Sequence, residues 1–167
     1  MMWPADPYGE PPMFTIDVLL LRPRSRGRVQ LTSRDPAAPP RVELRCFTDA
    51  SDLVRLAEGY RRAYEVASQA EIRRLCPNPL PAETRDEREL RSLVRQNAYS
   101  LPHVLGTCMM GPSPERGAVV DRTGRVFGTE GLFVVDASVL PSAPSGFTHI
   151  PTIMVAERLS EQIATRF

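Results

Sequence analysis

The chain has 167 residues, 42% hydrophobic and 25% charged, with a formal net charge of +1. That is enough for one ordinary domain with a core, and the near-neutral balance gives no reason to expect nucleic acid as a partner. No apolar run has the length of a membrane span, and the widely spaced, odd set of Cys46, Cys76 and Cys108 argues against a disulfide framework and fits a reducing cytoplasm.

Residues 1–13 are rich in proline and read as irregular. They also lack the basic head and long apolar stretch of a secretory signal. Phe14-Thr-Ile-Asp-Val-Leu-Leu-Leu21 alternates at Phe14, Ile16, Val18 and Leu20, which predicts a strand. Arg28-Val-Gln-Leu-Thr32 follows a Ser-Arg-Gly turn and is its expected hairpin partner. The arginines of Arg22–Arg28 read as a solvated turn rather than a phosphate site. Asp35-Pro-Ala-Ala-Pro-Pro40 has too few backbone donors for regular structure. Arg41-Val-Glu-Leu-Arg-Cys-Phe47 then predicts another strand, with Val42, Leu44 and Cys46 on one face. The expected result is an antiparallel sheet with one wet face.

Helices follow. Asp49-Ala-Ser-Asp52 offers an N-cap and early acids, and Leu53, Leu56, Ala57, Tyr60, Ala63, Tyr64 and Ala67 recur at helical spacing. The prolines of Cys76–Pro81 break the chain. Thr84-Arg-Asp-Glu87 has the pattern of a capping box, and Leu90, Leu93 and Val94 give the next helix a short apolar face. Beyond residue 101, short apolar pieces (118–120, 125–127, 132–135) alternate with Gly117, Gly124, Gly128 and Gly131. A final helix is expected over about residues 151–165, with Pro151 in its first turn. The fold class is α+β: an antiparallel sheet backed by helices, then a segment of short strands ending in a helix.

Both histidines lie in the last third of the chain. His103 opens His103-Val-Leu-Gly-Thr-Cys-Met-Met-Gly111, and His149 closes Pro144-Ser-Gly-Phe-Thr-His149. Two imidazoles facing one cavity could remove a proton from a hydroxyl and orient what remains. Taken alone, each reads as a satisfied structural histidine, and only the pairing brings the functional reading level with that one. His103, Cys108 and His149 lack metal-ligand spacing, and nothing resembling Gly-x-Ser-x-Gly surrounds Ser138. Asp136 is open to two readings, a strand-end carboxylate or a ligand contact. The start of the last helix carries free donors and partial positive charge, as any helix start does.

Several further pieces recur in order. They are His103-x-x-Gly-Thr-Cys-x-Met-Gly111, Val119-Val-Asp121, Arg125-Val-x-Gly128, Gly131-Leu-x-Val-Val-Asp-Ala-Ser138, Pro141, and Pro151-Thr-Ile-Met-x-Ala-Glu157. Together they resemble the closing region of the glucose–methanol–choline (GMC) family of flavin-dependent oxidoreductases. Pro23-x-Ser-x-Gly-x-Val-x-Leu-x-Ser33, Asp35-Pro36 and Asp52-Leu53 extend the resemblance less tightly to about residues 20–165. The resemblance implies FAD as cofactor and a small-molecule alcohol as substrate. It implies that His103 accepts the hydroxyl proton while hydride passes to flavin N5, and that His149 is the second active position. Asp136 and Ala137 match a strand end near the dinucleotide, and His149, Ile150, Pro151 and Thr152 match a helix start near the flavin pyrimidine edge. Cys108 is expected to pack.

The same resemblance divides the chain into residues 14–100, a substrate-domain-like part, and residues 101–167, an active-site and flavin-facing part. No Gly-x-Gly-x-x-Gly unit for a dinucleotide is found. The expectation is therefore the C-terminal portion of such an enzyme, inactive until a flavin-binding domain or chain is supplied, with exposed surfaces that favour self-association. Two alternatives accompany it: a non-catalytic interaction module of the same fold, and hydroxynitrile-lyase chemistry with the same histidine as base.

Overall fold

A computed structural model describes residues 15–76, 80, 83–84 and 86–165. The described chain divides into two compact units, one made of residues 15–20 with 49–98, the other of residues 21–48 with 99–165. Its regular elements are a two-stranded antiparallel sheet and four α-helices, so the α+β class holds.

The first unit is helical. Helix α1 spans Ala50–Ala67, α2 spans Ala70–Leu75 and α3 spans Glu87–Asn97. Asp49 caps α1 as expected, its carboxylate accepting from the Ser51 backbone N–H at 2.9 Å. Leu53 and Ala57 of α1 and Leu90 and Val94 of α3 form the buried stripe, and Leu90 is wholly buried. Arg61 of α1 pairs with Glu87 of α3. The acid at Asp52, buried in the first turn of α1, lies 3.8 Å from the Arg55 guanidinium.

Two expectations fail here. Residues 15–20 do not form a strand, although they keep the alternating burial that suggested one. Val18 lies against α1 instead, where Gly59 leaves room: a Cβ there would stand 2.5 Å from Val18 Cγ1. Packing on a helix buries the same alternate side chains that a strand would, so periodicity alone does not separate the two. The capping box at Thr84–Glu87 is also displaced. Asp86 is the true N-cap, accepting from the Glu89 N–H at 2.8 Å, and the helix starts at Glu87. Asp86-x-x-Glu89 has the same spacing two residues later, and the Asp86 carboxylate rather than the Thr84 hydroxyl caps the helix.

The second unit holds the sheet. Strand β1, Arg28–Gln30, pairs antiparallel with β2, Arg41–Glu43, and Arg28 stands opposite Glu43. Glu43 accepts from Arg28 and lies against Arg41, each at 2.8 Å. Arg26 folds back on its own turn, donating to the Pro23 carbonyl at 2.8 Å, which fits the solvated-turn reading of this basic cluster. The hairpin partner of Arg28–Gln30 is thus Arg41–Glu43, not the described part, residues 15–21, of the segment expected to pair with it, whose Phe14 lies outside the described residues. The second strand also stops at Glu43 rather than running to Phe47. Arg45 and Phe47 take positive φ values of 52° and 60°, a conformation that turns the chain before α1.

The glycine-punctuated segment folds by single backbone bridges rather than continuous strands. Met110 pairs with Val120, Val120 with Val126, and Arg125 with Phe133. Asp121 organises one turn, accepting from the Thr123 N–H at 2.7 Å. At Gly124 the backbone has φ +78°, and an added Cβ would meet the Val134 carbonyl at 2.8 Å. No other residue type fits there without strain. Helix α4, His149–Ala164, closes the unit and starts two residues earlier than expected. Pro151 is its third residue, where the N–H would still have no intrahelical partner. Val120, Val139 and Leu159 form the buried centre, with Met110, Val126, Val134, Val135 and Val155 packed around them.

Candidate functional site

The segment beginning at His103 is tied to the turn before α4 by a side-chain bond. His103 Nδ1 lies 3.1 Å from Thr148 Oγ1, and the imidazole stacks at a tilt of 41° on Phe147, with ring centroids 4.9 Å apart. The His103 backbone N–H donates to the Leu101 carbonyl at 2.7 Å, a tight turn that aims the ring. Thr148 immediately precedes His149, the exposed first residue of α4. The fold thus brings the His103 motif to the residue beside the second histidine, although 45 positions separate His103 from Thr148.

The other sequence-derived residues lie nearby in the chain's path. Cys108 N–H donates to the Ser138 carbonyl at 3.0 Å, and Met110 N–H to the Val139 carbonyl at 2.9 Å. These bonds lay the His103 motif along the turn that begins at Asp136 and Ala137. Asp136 is exposed and accepts from the Ser138 N–H at 2.8 Å, capping a single 3₁₀ turn over Ala137–Val139. Its structural role is therefore visible in the chain itself. Cys108 is partly buried and unbridged.

At the start of α4, Thr152 N–H and Oγ1 both donate to the Thr148 carbonyl, at 2.9 and 2.7 Å. Pro151 has no N–H. Helix geometry therefore leaves the backbone donors of His149 and Ile150 pointing out of the first turn. Both residues are exposed, and the neighbouring Gly146 faces open space. Two unspent N–H groups with a helix dipole behind them suit an electron-rich or anionic ring edge. This donor set fits the pyrimidine edge of a flavin.

Thr148 and Phe147 were not singled out by sequence reasoning. A threonine just before a predicted helix reads as an N-cap, and that reading hides any other duty. Among the described residues no cluster of three His, Cys, Asp or Glu side chains gathers as a metal site. Two concavities lie elsewhere among the described residues. One of about 240 Å³ is walled by Tyr60, Arg61 and Tyr64, and one of about 360 Å³ by Arg122, Thr123 and Gln162. Neither histidine lines them. Among the described residues, no helix is long and apolar enough to cross a membrane.

A family model described as GMC oxidoreductase matches residues 23–156. The chain is 36% identical over 158 residues to oxygen-dependent choline dehydrogenase 1 of Chromohalobacter salexigens, covering 92% of this chain and 28% of that protein. It is 38% identical over 147 residues to the chloroplastic fatty acid photodecarboxylase of Chlamydomonas reinhardtii, covering 86% of this chain and 24% of that one. A solved structure of Aspergillus oryzae formate oxidase, studied for modification of its FAD, superposes with a TM-score of 0.80 at 27% identity, over 87% of this chain and 26% of that one. This chain belongs to the GMC oxidoreductase family and corresponds to its C-terminal part. The family's enzymes are FAD-dependent oxidoreductases. The chain spans about a quarter of the length of the curated relatives it matches.

Proposed function

We propose that this chain carries the substrate-side and flavin-facing surface of an FAD-dependent oxidoreductase that oxidises the CH–OH group of a small alcohol. The observation that carries the reading is the bond between His103 and Thr148, which links the two histidine-bearing segments. In this reading residues 101–167 supply the active-site surface and residues 14–100 the substrate-domain part. The flavin-binding portion comes from a separate domain or chain, and the protein acts in the cytoplasm.

FAD, when bound, supplies the acceptor for the hydride carried by the alcohol carbon. His103 takes the hydroxyl proton, so alkoxide character develops and the carbonyl product can form. His149 holds the alcohol oxygen from the other side. The N–H groups of His149 and Ile150, with the dipole of α4, stabilise negative charge at the pyrimidine edge. Asp136 and Ala137 would contribute to holding the dinucleotide, and Pro151 and Thr152 would shape the helix start beside the flavin. Cys108 packs and has no chemical step.

The exposed side chains of Phe147, His149 and Ile150 support a cavity completed by other parts of a whole enzyme. The test is to add a separately produced flavin-binding domain of the family to this chain, under anaerobic conditions, with a panel of alcohols. Bleaching of the flavin by an alcohol, with formation of the matching aldehyde or ketone, is the expected result. A mixture whose flavin binds yet stays oxidised with every alcohol would favour a non-catalytic interaction module. Cleavage of a hydroxynitrile without flavin bleaching would favour lyase chemistry.

A further inference from the structure

We infer that Thr148 is a positioning residue that holds His103 as the Nδ1-protonated tautomer and so leaves Nε2 as the nitrogen that accepts a proton. The inference rests on the reading of His103 as the base.

Thr148 occupies the N-cap of α4, where a threonine hydroxyl ordinarily accepts from a backbone N–H of the first turn. Here its side chain makes no such bond. The hydroxyl lies 3.1 Å from His103 Nδ1 instead, and the residue is only 8% exposed. Its backbone is anchored by the two bonds that its carbonyl accepts from Thr152. The hydroxyl is therefore held from the helix side, and it meets a ring already fixed by the turn at Leu101 and by the face of Phe147. Backbone, ring face and Nδ1 together leave the imidazole little freedom.

The direction of the bond follows from what the ring must do. A neutral imidazole has one donor and one acceptor nitrogen, whereas a hydroxyl can serve either role. If Thr148 donated to Nδ1, Nε2 would carry the hydrogen and could not take another. If Nδ1–H donates to Thr148 Oγ1, Nε2 keeps its lone pair. That second arrangement also survives proton uptake: the imidazolium carries hydrogens on both nitrogens, and the Nδ1–H bond to Oγ1 is already made. From the opposite arrangement the ring would have to change tautomer and the hydroxyl turn before Nε2 could accept a proton. A preorganised acceptor avoids that reorganisation.

The test is long-range proton–nitrogen NMR on the full chain labelled with ¹⁵N-histidine. Its two imidazoles are assigned with His149→Asn. The expected result is a neutral His103 carrying hydrogen on Nδ1. Thr148→Val, which keeps shape and removes the oxygen, should return His103 to the mixture of an unheld imidazole. Thr148→Ser should keep the Nδ1–H form. An Nε2–H form in the natural chain, or a tautomer untouched by Thr148→Val, would overturn the inference. If Thr148→Val loses the fold, the natural chain and Thr148→Ser decide the matter by the same two signals. With a flavin domain added, Thr148→Val should slow flavin reduction by about tenfold with little change in KM, and Thr148→Ser should restore most of it. A reduction rate unaffected by His103→Ala would sink the base assignment while leaving the tautomer result standing.

Discussion

Single side chains in this protein often serve a neighbour rather than their own element. The Thr148 hydroxyl lies against His103 Nδ1 and not against a backbone N–H of its own helix, whereas the Asp136 carboxylate accepts from the Ser138 N–H of its own turn. The strictest local requirement is at Gly124, where a positive φ coincides with close approach of the Val134 carbonyl. Gly124→Ala is expected to destabilise the chain by about 2 kcal/mol or more, since the left-handed backbone alone costs about 1–2 kcal/mol for an L-residue. Urea unfolding measures it, and an unchanged midpoint would contradict the assignment. Glu115 offers a pH-dependent case. A hydrogen bond with the Ser113 side chain, and then its own backbone N–H, hold its carboxyl below the ordinary range. A lowered folded-state value makes the contribution full above the unfolded value and lost as pH falls through the folded one. Ser113→Ala should therefore raise the Glu115 titration, read by side-chain carbon NMR. A titration that does not move would remove Ser113 as the cause.

The elements differ in how much one residue can disturb them. Leu90 joins α3 to the buried stripe of α1 and is wholly enclosed, so Leu90→Ala should cost about 2–5 kcal/mol. Asp49→Ala, which removes the α1 cap, should cost about 1 kcal/mol. Leu31, 87% exposed, should tolerate alanine within about 0.5 kcal/mol. Denaturant midpoints of the three variants test this order, and equal losses would contradict it. Helix α1 was the most legible part of the sequence, because a cap at Asp49 and apolar spacing at Leu53 and Ala57 are both local signals, whereas the six-residue α2 was not anticipated. The strands were less so. Val18 alternates like a strand residue yet packs on Gly59, and the β2 pattern runs past Glu43 into positive-φ residues that nothing in its alternation announces. The histidine segments were recognised from their motifs. The partner of His103 was not, because a long-range bond between a ring and a threonine leaves no periodic trace.

The whole molecule leaves apolar side chains uncovered near its histidines. Phe147 is 57% exposed, Ile150 61% and Met154 66%. Under the proposed function these sit where further protein would cover them, so the chain alone should self-associate as its concentration rises. Sedimentation should show that association and its weakening in Met154→Glu. A chain that stays monomeric at every concentration would contradict that expectation. The central claim is that His103 removes the proton from an alcohol beside a flavin. The most direct test is stopped-flow flavin reduction in the assembly reconstituted with a flavin-binding domain, comparing the natural chain with His103→Ala at saturating alcohol. A loss of about 10²–10⁴-fold in the reduction rate is predicted, with the flavin still bound. Equal rates for the two proteins would contradict the claim.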